Sequence, residues 1–287
     1  MNRDPVLIVG SDGMIGGALA ASDWADRVVL ETTHLPDTLS NRRIYLDMTQ
    51  DILDWRPPES VSAAVLCAAI SSLEQCRSNP EQTARFNVYN TIAVAKRFID
   101  NNAFVVFISS SQVYDGSVPF QKAESKVSPQ TEYGRQKAEA ERQLFALGDS
   151  ISVVRFTKVF GPNNPLLTGW LRALQNGETI HPFSDMTMSP IPLSFAVDVL
   201  QRVVEERVLG IIQVSATEDV TYAQVAQYIA RRIGATPNLV QPIHSSNSNI
   251  VLETVPTHTT LDISRLQSTL GLEPPDVWTT INTIFGL

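Results

Sequence analysis

Short apolar runs alternate with stretches of helical periodicity through the first half of this 287-residue chain. VLIVG (6–10), RVVLE (27–31), RIYL (43–46), AAVLCAA (63–69), AFVVFIS (103–109) and ISVVRF (151–156) are rich in Val and Ile and apolar almost throughout. A strand without polar alternation is one covered on both faces, the condition of a parallel strand inside an α/β sheet. Between these runs, GMIGGALAASDW, PEQTARFNVYNTIAVAKRFIDN and EYGRQKAEAERQLFAL space apolar residues three and four apart, which predicts helices. Repeated βα units build a Rossmann-type, doubly wound parallel sheet, and residues 1–160 read as that domain. After Gly161, Pro and Asn become frequent, strands shorten (TIHPF, SPIPL, IIQVS), and LSFAVDVLQRVVEE and YAQVAQYIARRIG predict further helices. Residues 161–287 therefore read as mainly a smaller C-terminal α+β lobe, with later segments returning to the sheet domain. SSNSN (245–249) predicts a loop.

The chemical signals sit at the turns between these elements. Gly10, Gly13 and Gly16 in GSDGMIG follow the first strand directly and open the first helix. Small residues there permit a tight turn, and the helix N-terminus, with Met14 and Ile15 in the same turn, offers N–H groups to a pyrophosphate. Glu31, read as the end of the second strand, stands where a carboxylate takes the hydroxyls of an adenosine ribose; a solvated strand-end glutamate is the competing reading. An acid there disfavours a 2'-phosphate, while Arg42 and Arg43 offer one some compensation. The expected cofactor is NAD(P)H, with a lean to NAD(H).

Tyr133 and Lys137, four apart, share a helix face, so the ammonium is expected to lower the phenol's pKa from about 10 toward neutrality. Ser110, leaving the strand FVVFIS, is placed to hydrogen-bond a carbonyl oxygen on which negative charge develops, and Lys137 to reach the nicotinamide ribose. A Tyr and Lys at this spacing are common on surface helices. Preceded in order by a glycine turn and a strand-end serine, they predict a hydride-transfer site.

Composition narrows the setting. A net charge of −8, with no local Lys/Arg block, argues against a nucleic-acid surface. No apolar run reaches membrane-spanning length, and MNRDPVLIVG enters a strand without a leader pattern, so the expected location is cytoplasmic, away from membranes. Cys67 and Cys76 make no disulfide framework, and His34, His181, His244 and His258 have no metal-ligand spacing, so no metal is expected.

With these motifs in order, the chain resembles the extended short-chain dehydrogenase/reductase family. The resemblance continues in LDMT (46–49), where it implies that Asp47 contacts the adenine and Met48 packs on it. In CAA (67–69) it places Ala68 and Ala69 along the cofactor, and it gives Asn87 a place beside the active site. Within the family, AAISSLEQCRSNPEQTARFN (68–87), SQVYDG (111–116) and PTHTTLDISRLQSTLGLEPPDVW near the C-terminus are similar to dTDP-4-dehydrorhamnose reductases. This implies reduction of a 4-keto group on a nucleotide-linked deoxysugar, with Ser71 and Ser111 on the substrate side and the C-terminal lobe gripping the nucleotide. It also implies a homodimer through helices expected over 79–101 and 131–147.

Departures sharpen the expectation. Related dehydratases carry an acidic pair where this chain has Ser111 and Gln112, which cannot serve as that acid and base. Lys158 in RFTKVFG stands where the rhamnose-type reductases carry an aromatic residue; its ammonium either points at a carboxylate, hydroxyl or phosphate of the sugar or pairs with a nearby acid. Asn164 opens the following helix, capping it or facing the diphosphate. Val255 replaces the family's Arg before the final Pro. A sugar-nucleotide 4-epimerase and a non-catalytic NAD(P)-binding regulatory subunit are the alternative functions.

Overall fold

The structure, a computed structural model, describes residues 3–25, 27–162 and 164–285. In chain order the first half runs β1 (Arg3–Val9), α1 (Met14–Ala21), β2 (Arg27–Thr33), β3 (Arg43–Tyr45), β4 (Ala63–Leu66), α2 (Leu73–Ser78), α3 (Pro80–Ala84), α4 (Thr91–Asp100), β5 (Phe104–Ser110), α5 (Glu132–Phe145) and β6 (Ile151–Phe156). The second half runs β7 (Val159–Phe160), α6 (Pro165–Gln175), β8 (Thr187–Met188), β9 (Ile191–Pro192), α7 (Leu193–Glu206), β10 (Gly210–Val214), β11 (Val220–Thr221), α8 (Tyr222–Arg232), α9 (Ser264–Leu270) and α10 (Val277–Phe285).

Among the described residues, seven strands form one sheet in the order β10-β6-β5-β4-β1-β2-β3, every pairing parallel. Both faces are covered: Val6 and Ile8 pack with Leu19 of α1 and Val199 of α7, while Leu7 and Val9 pack with Val94, Phe98 and Leu144 of α4 and α5. That two-sided burial is why the strands read as unbroken apolar runs. Strand order reverses between β1 and β4, leaving a crevice at their C-terminal ends.

Three boundaries differ from expectation. IIQVS does not belong to the lobe; it supplies β10, which pairs with β6 at the edge of the main sheet. The helical stretch 80–101 is interrupted by a π-helical turn over Arg85–Asn90, between α3 and α4. β2 continues past Glu31 to Thr33, because Thr32 and Thr33 pair with Ile44 and Tyr45 of β3. In the lobe, β7 pairs with β9 and β8 with β11. TIHPF contributes only the isolated bridges Ile180–Val240 and Phe183–Ile243.

Candidate active site

The crevice at the β1/β4 switch point is a groove lined by Gly10, Asp12, Gly13, Thr32, His34, Leu46, Asp47, Met48, Thr49, Cys67, Ala68, Ala69 and Phe86. Its narrowness depends on glycine. Gly10 has φ +88°, and a Cβ there would meet Ala68 at 2.7 Å; a Cβ on Gly16 would stand 2.2 Å from the Gly10 carbonyl oxygen. The Gly10 amide donates to Thr32 Oγ1 at 2.9 Å, which ties the turn to the end of β2. No side chain caps α1 at Gly13, so the N-terminus of this helix offers its N–H groups to the groove. Met14 lies against Gly161, whereas Ile15 packs into the core.

The acid at the groove's outer end differs from the expected one. Glu31 stands two residues short of the end of β2 and faces Arg43, whose Nε is 3.7 Å from its carboxylate. The groove is lined instead by Thr32, His34 and Asp12. Asp12 accepts hydrogen bonds from Thr33 Oγ1 at 2.9 Å and from the His34 amide at 3.1 Å, and it pairs with Arg43 and with His34 Nδ1. Burial pushes its carboxyl up, but those two hydrogen bonds and Arg43 outweigh burial and hold it below its ordinary value. Asp47, farther along, accepts from the amide and hydroxyl of Thr49 at 2.9 and 2.7 Å. Met48 lines the groove from the core, and its carbonyl accepts from Asn90.

Asn87 is not on the groove surface. It is buried, bonds the Ile70 amide and carbonyl at 2.8 and 2.9 Å, and donates to Gln136 of α5 at 2.8 Å. Its amide therefore braces the loop after β4 against the helix of Tyr133, which makes it a positioning residue rather than a direct contact.

A second cavity, on the lobe side, is lined by Ser110, Ser111, Gln112, Lys158, Met186, Tyr222, His258 and neighbours from both halves of the chain. Ser110 ends β5, and its Oγ accepts from the Gln112 amide at 3.2 Å, capping the turn Ser111–Val113. Lys158 has no acid partner among the described residues. Its Nζ donates to Tyr222 Oη at 2.7 Å and lies 5.0 Å from that ring's centre. The Tyr222 ring is braced edge-on by Trp170 and Phe183. Thr254 and Pro256, either side of Val255, also line this cavity. Ser71 is exposed beside Ser72, the cap of α2, and Asn164 caps α6 by accepting from the Leu167 amide at 3.2 Å; neither is among the residues lining the two spaces.

At the cavity wall, where Gln112 and Thr131 line it, α5 approaches the turn after β5 very closely, while Tyr133 and Lys137 are not among the residues lining either space. A Cβ on Gly134 would stand 2.1 Å from the Gln112 carbonyl oxygen, so the residue after Tyr133 must be glycine for this approach. Thr131 completes the joint: its hydroxyl caps α5 through the Gly134 amide at 3.0 Å and donates to Gln112 Oε1 at 2.9 Å. Lys137 is 2% exposed; its Nζ donates to the Ile108 carbonyl at 2.7 Å and stands 4.4 Å from the Phe107 ring centre but 5.7 Å from that of Tyr133. The expected electrostatics are reversed in this state. Burial pulls the Lys137 ammonium down to about 8, against the opposing pull of Glu141, Cys67 and Cys76. Burial and the Cys76 sulfur push the Tyr133 phenol up, because the ammonium is directed at a backbone carbonyl rather than at the ring hydroxyl.

Under this joint lies a buried polar network that the sequence reading misses. Glu141, one helical turn beyond Lys137, accepts from Ser109 Oγ at 2.5 Å and pairs with Arg155 of β6 at 2.6 Å. Arg155 also donates to Tyr114 Oη and to the Ala123 carbonyl. An acid four residues past Lys137 is the only trace in sequence; its partner lies on another strand. The fold and these residues suit a dinucleotide in the groove and a polar substrate in the adjoining cavity. Among the described residues, no cluster of three or more His, Cys, Asp or Glu side chains is placed to hold a metal ion, and no helix is long and apolar enough to cross a membrane.

Comparison with known proteins places this architecture. The chain is 24% identical to the dTDP-4-dehydrorhamnose reductase of Aggregatibacter actinomycetemcomitans, covering 94% of this chain and 95% of that one. It is also 24% identical to the methionine adenosyltransferase 2 subunit beta of Bos taurus, over 93% of this chain and 82% of that protein. The crystal structure of dTDP-4-dehydrorhamnose reductase from Bacillus anthracis in complex with NADP superposes with a TM-score of 0.83 at 19% identity, covering 99% of both chains. The family model for the RmlD substrate binding domain matches residues 4–285, essentially the whole described chain, and the protein belongs to that family.

Proposed function

We propose that this protein is an NAD(P)H-dependent reductase of a 4-keto group on a nucleotide-linked deoxysugar. The observation that carries the reading is the joint at Gly134: it brings the helix of Tyr133 and Lys137 against the turn that follows Ser110, at the wall of the second cavity, which Ser110, Gln112 and Thr131 line. Names among the relatives, reductases of dTDP-linked keto sugars, support the substrate class.

A reduced nicotinamide bound in the groove would supply the hydride. Gly10, Gly13 and Gly16 with the Met14 and Ile15 amides would hold its pyrophosphate end, Asp47 and Met48 its adenine side, and Ala68 and Ala69 would form the wall. Ser110 hydrogen-bonds the carbonyl oxygen, and Tyr133 donates a proton to it as charge develops there. Lys137 supports Tyr133 and the nicotinamide ribose, while Asn87 holds the loop opposite. Ser111 and Lys158, which both line the second cavity, belong to the substrate side.

Replacing Tyr133 with Phe removes one proton donor and no packing volume. The expected result is undiminished NADH binding with turnover lowered by roughly 10²–10⁴-fold, read in parallel titrations and steady-state assays. Full activity in Tyr133→Phe rules out this assignment. A homodimer through the helical face that exposes Tyr89 and Phe145 belongs to the same reading. The likeness to a methionine adenosyltransferase subunit favours a second one, a cofactor-binding subunit without turnover. Against it stands the retained Ser110, Tyr133 and Lys137 set, which binding alone does not require.

A further inference from the structure

The outer end of the groove carries an arrangement with a consequence for cofactor choice. In a doubly wound sheet the adenosine ribose falls beside the end of the second strand, where an acid accepts from a free 2'-hydroxyl and a nearby Arg accommodates a 2'-phosphate. Here that end is β2, finishing at Thr33, and Arg43 at the start of β3 brings a guanidinium beside it. Arg43 is already engaged by Asp12 on one side and approaches Glu31 at 3.7 Å on the other. Asp12 and His34 line the groove, whereas Arg43 and the exposed Arg42 are not among its lining residues. The groove lining therefore presents the carboxylates of Asp12 and, farther along, Asp47, while Glu31 lies outside the lining and faces Arg43.

We propose that Asp12 sets the dinucleotide preference: by holding Arg43 and His34 it keeps the ribose end of the groove acidic, selecting a free 2'-hydroxyl over a 2'-phosphate. A 2'-phosphate adds about two negative charges at neutral pH, and beside Asp12 it finds repulsion where it needs a free guanidinium. Removing the Asp12 charge releases Arg43 within reach of the same place. Asp12 is therefore a specificity residue inside the glycine turn itself, thirty-one positions before the arginine it controls.

This rests on the groove's being the dinucleotide site, and its test needs no sugar substrate. NADH and NADPH are titrated into the purified protein, with dissociation constants read from nicotinamide fluorescence or calorimetry. The wild type binds NADH more tightly by roughly tenfold or more. Asp12→Asn narrows that ratio by about tenfold, chiefly through tighter NADPH binding, and adding Arg43→Ala to it removes the gain. Should Asp12→Asn not fold, Asp12→Ser, which keeps a hydrogen-bonding oxygen near Thr33 and the His34 amide, makes the same comparison. Equal or tighter NADPH binding by the wild type, or an unchanged ratio in a folded Asp12 variant, overturns the proposal. Failure to bind either dinucleotide is a different result and overturns the cofactor site on which it rests.

Discussion

A buried lysine is the residue on which the proposed chemistry and the stability of this protein meet. Lys137 is almost wholly enclosed and held at about 8 by burial, well below the ordinary lysine value. Its charged form is thus disfavoured in the folded state. Below about pH 8 it is protonated in both folded and unfolded chains, and folding carries the whole cost of burying the charge. Stability rises as pH climbs from about 8 toward the unfolded value near 10.4, where neither state is charged. Lys137→Met is therefore expected to stabilise the fold at pH 7 by about 1–3 kcal/mol in urea denaturation, to lose that advantage by about pH 10.5, and to abolish turnover. Wild-type turnover falls as pH rises through about 8, since the neutral amine cannot support the Tyr133 proton. At this scale the placement of Ser110 at the end of β5 and of Tyr133 and Lys137 on one helix is legible in sequence, because the spacing is local. Asp12 is not, because a glycine motif draws attention to its glycines and the partner that gives Asp12 its meaning lies on a different strand. Glu31 is misplaced for a related reason: an apolar run shows where a strand is buried, and the two threonines that extend β2 carry no apolar signal.

Elements are held in register here by polar joints as well as by packing. Glu141 and Arg155 are both under 5% exposed, and their pair links α5 to β6, with Ser109 and Tyr114 extending it to β5 and the turn after it. Breaking one side leaves a buried, unpaired charge. Arg155→Met alone is expected to cost roughly 3–5 kcal/mol, whereas the double variant Glu141→Leu with Arg155→Met recovers most of that loss, measured by denaturant midpoints. Equal losses in single and double variants would show that the ion pair is not what holds the joint. Sequence cannot reveal such a network, because a buried Glu and a surface Glu look alike at helical spacing until the opposing strand is in place. For the neighbouring joint with Gln112, Gly134 is a signal that sequence offers: a glycine in the first turn of a helix disfavours the helix unless a close approach requires it.

For the whole molecule, the unbroken apolar runs carry the sheet, since strands buried on both faces need no other mark. β10 is the exception: it lies far along the chain after the lobe's own short strands, and its placement beside β6 comes from tertiary pairing. The lobe is harder to read for the same reason, with two-residue strands and isolated bridges that have no periodicity to detect. The division of labour between a groove on the sheet side and a cavity on the lobe side is what the proposed reduction requires. The most direct test is consumption of NADH or NADPH, followed by absorbance, with a panel of dTDP-, GDP- and UDP-linked 4-keto-6-deoxysugars. The expected result is stoichiometric loss of the reduced dinucleotide with at least one of them, slowed by roughly 10²–10⁴-fold in Tyr133→Phe. Tight dinucleotide binding with no consumption across the panel would contradict the reductase reading and point to an epimerase or a binding subunit.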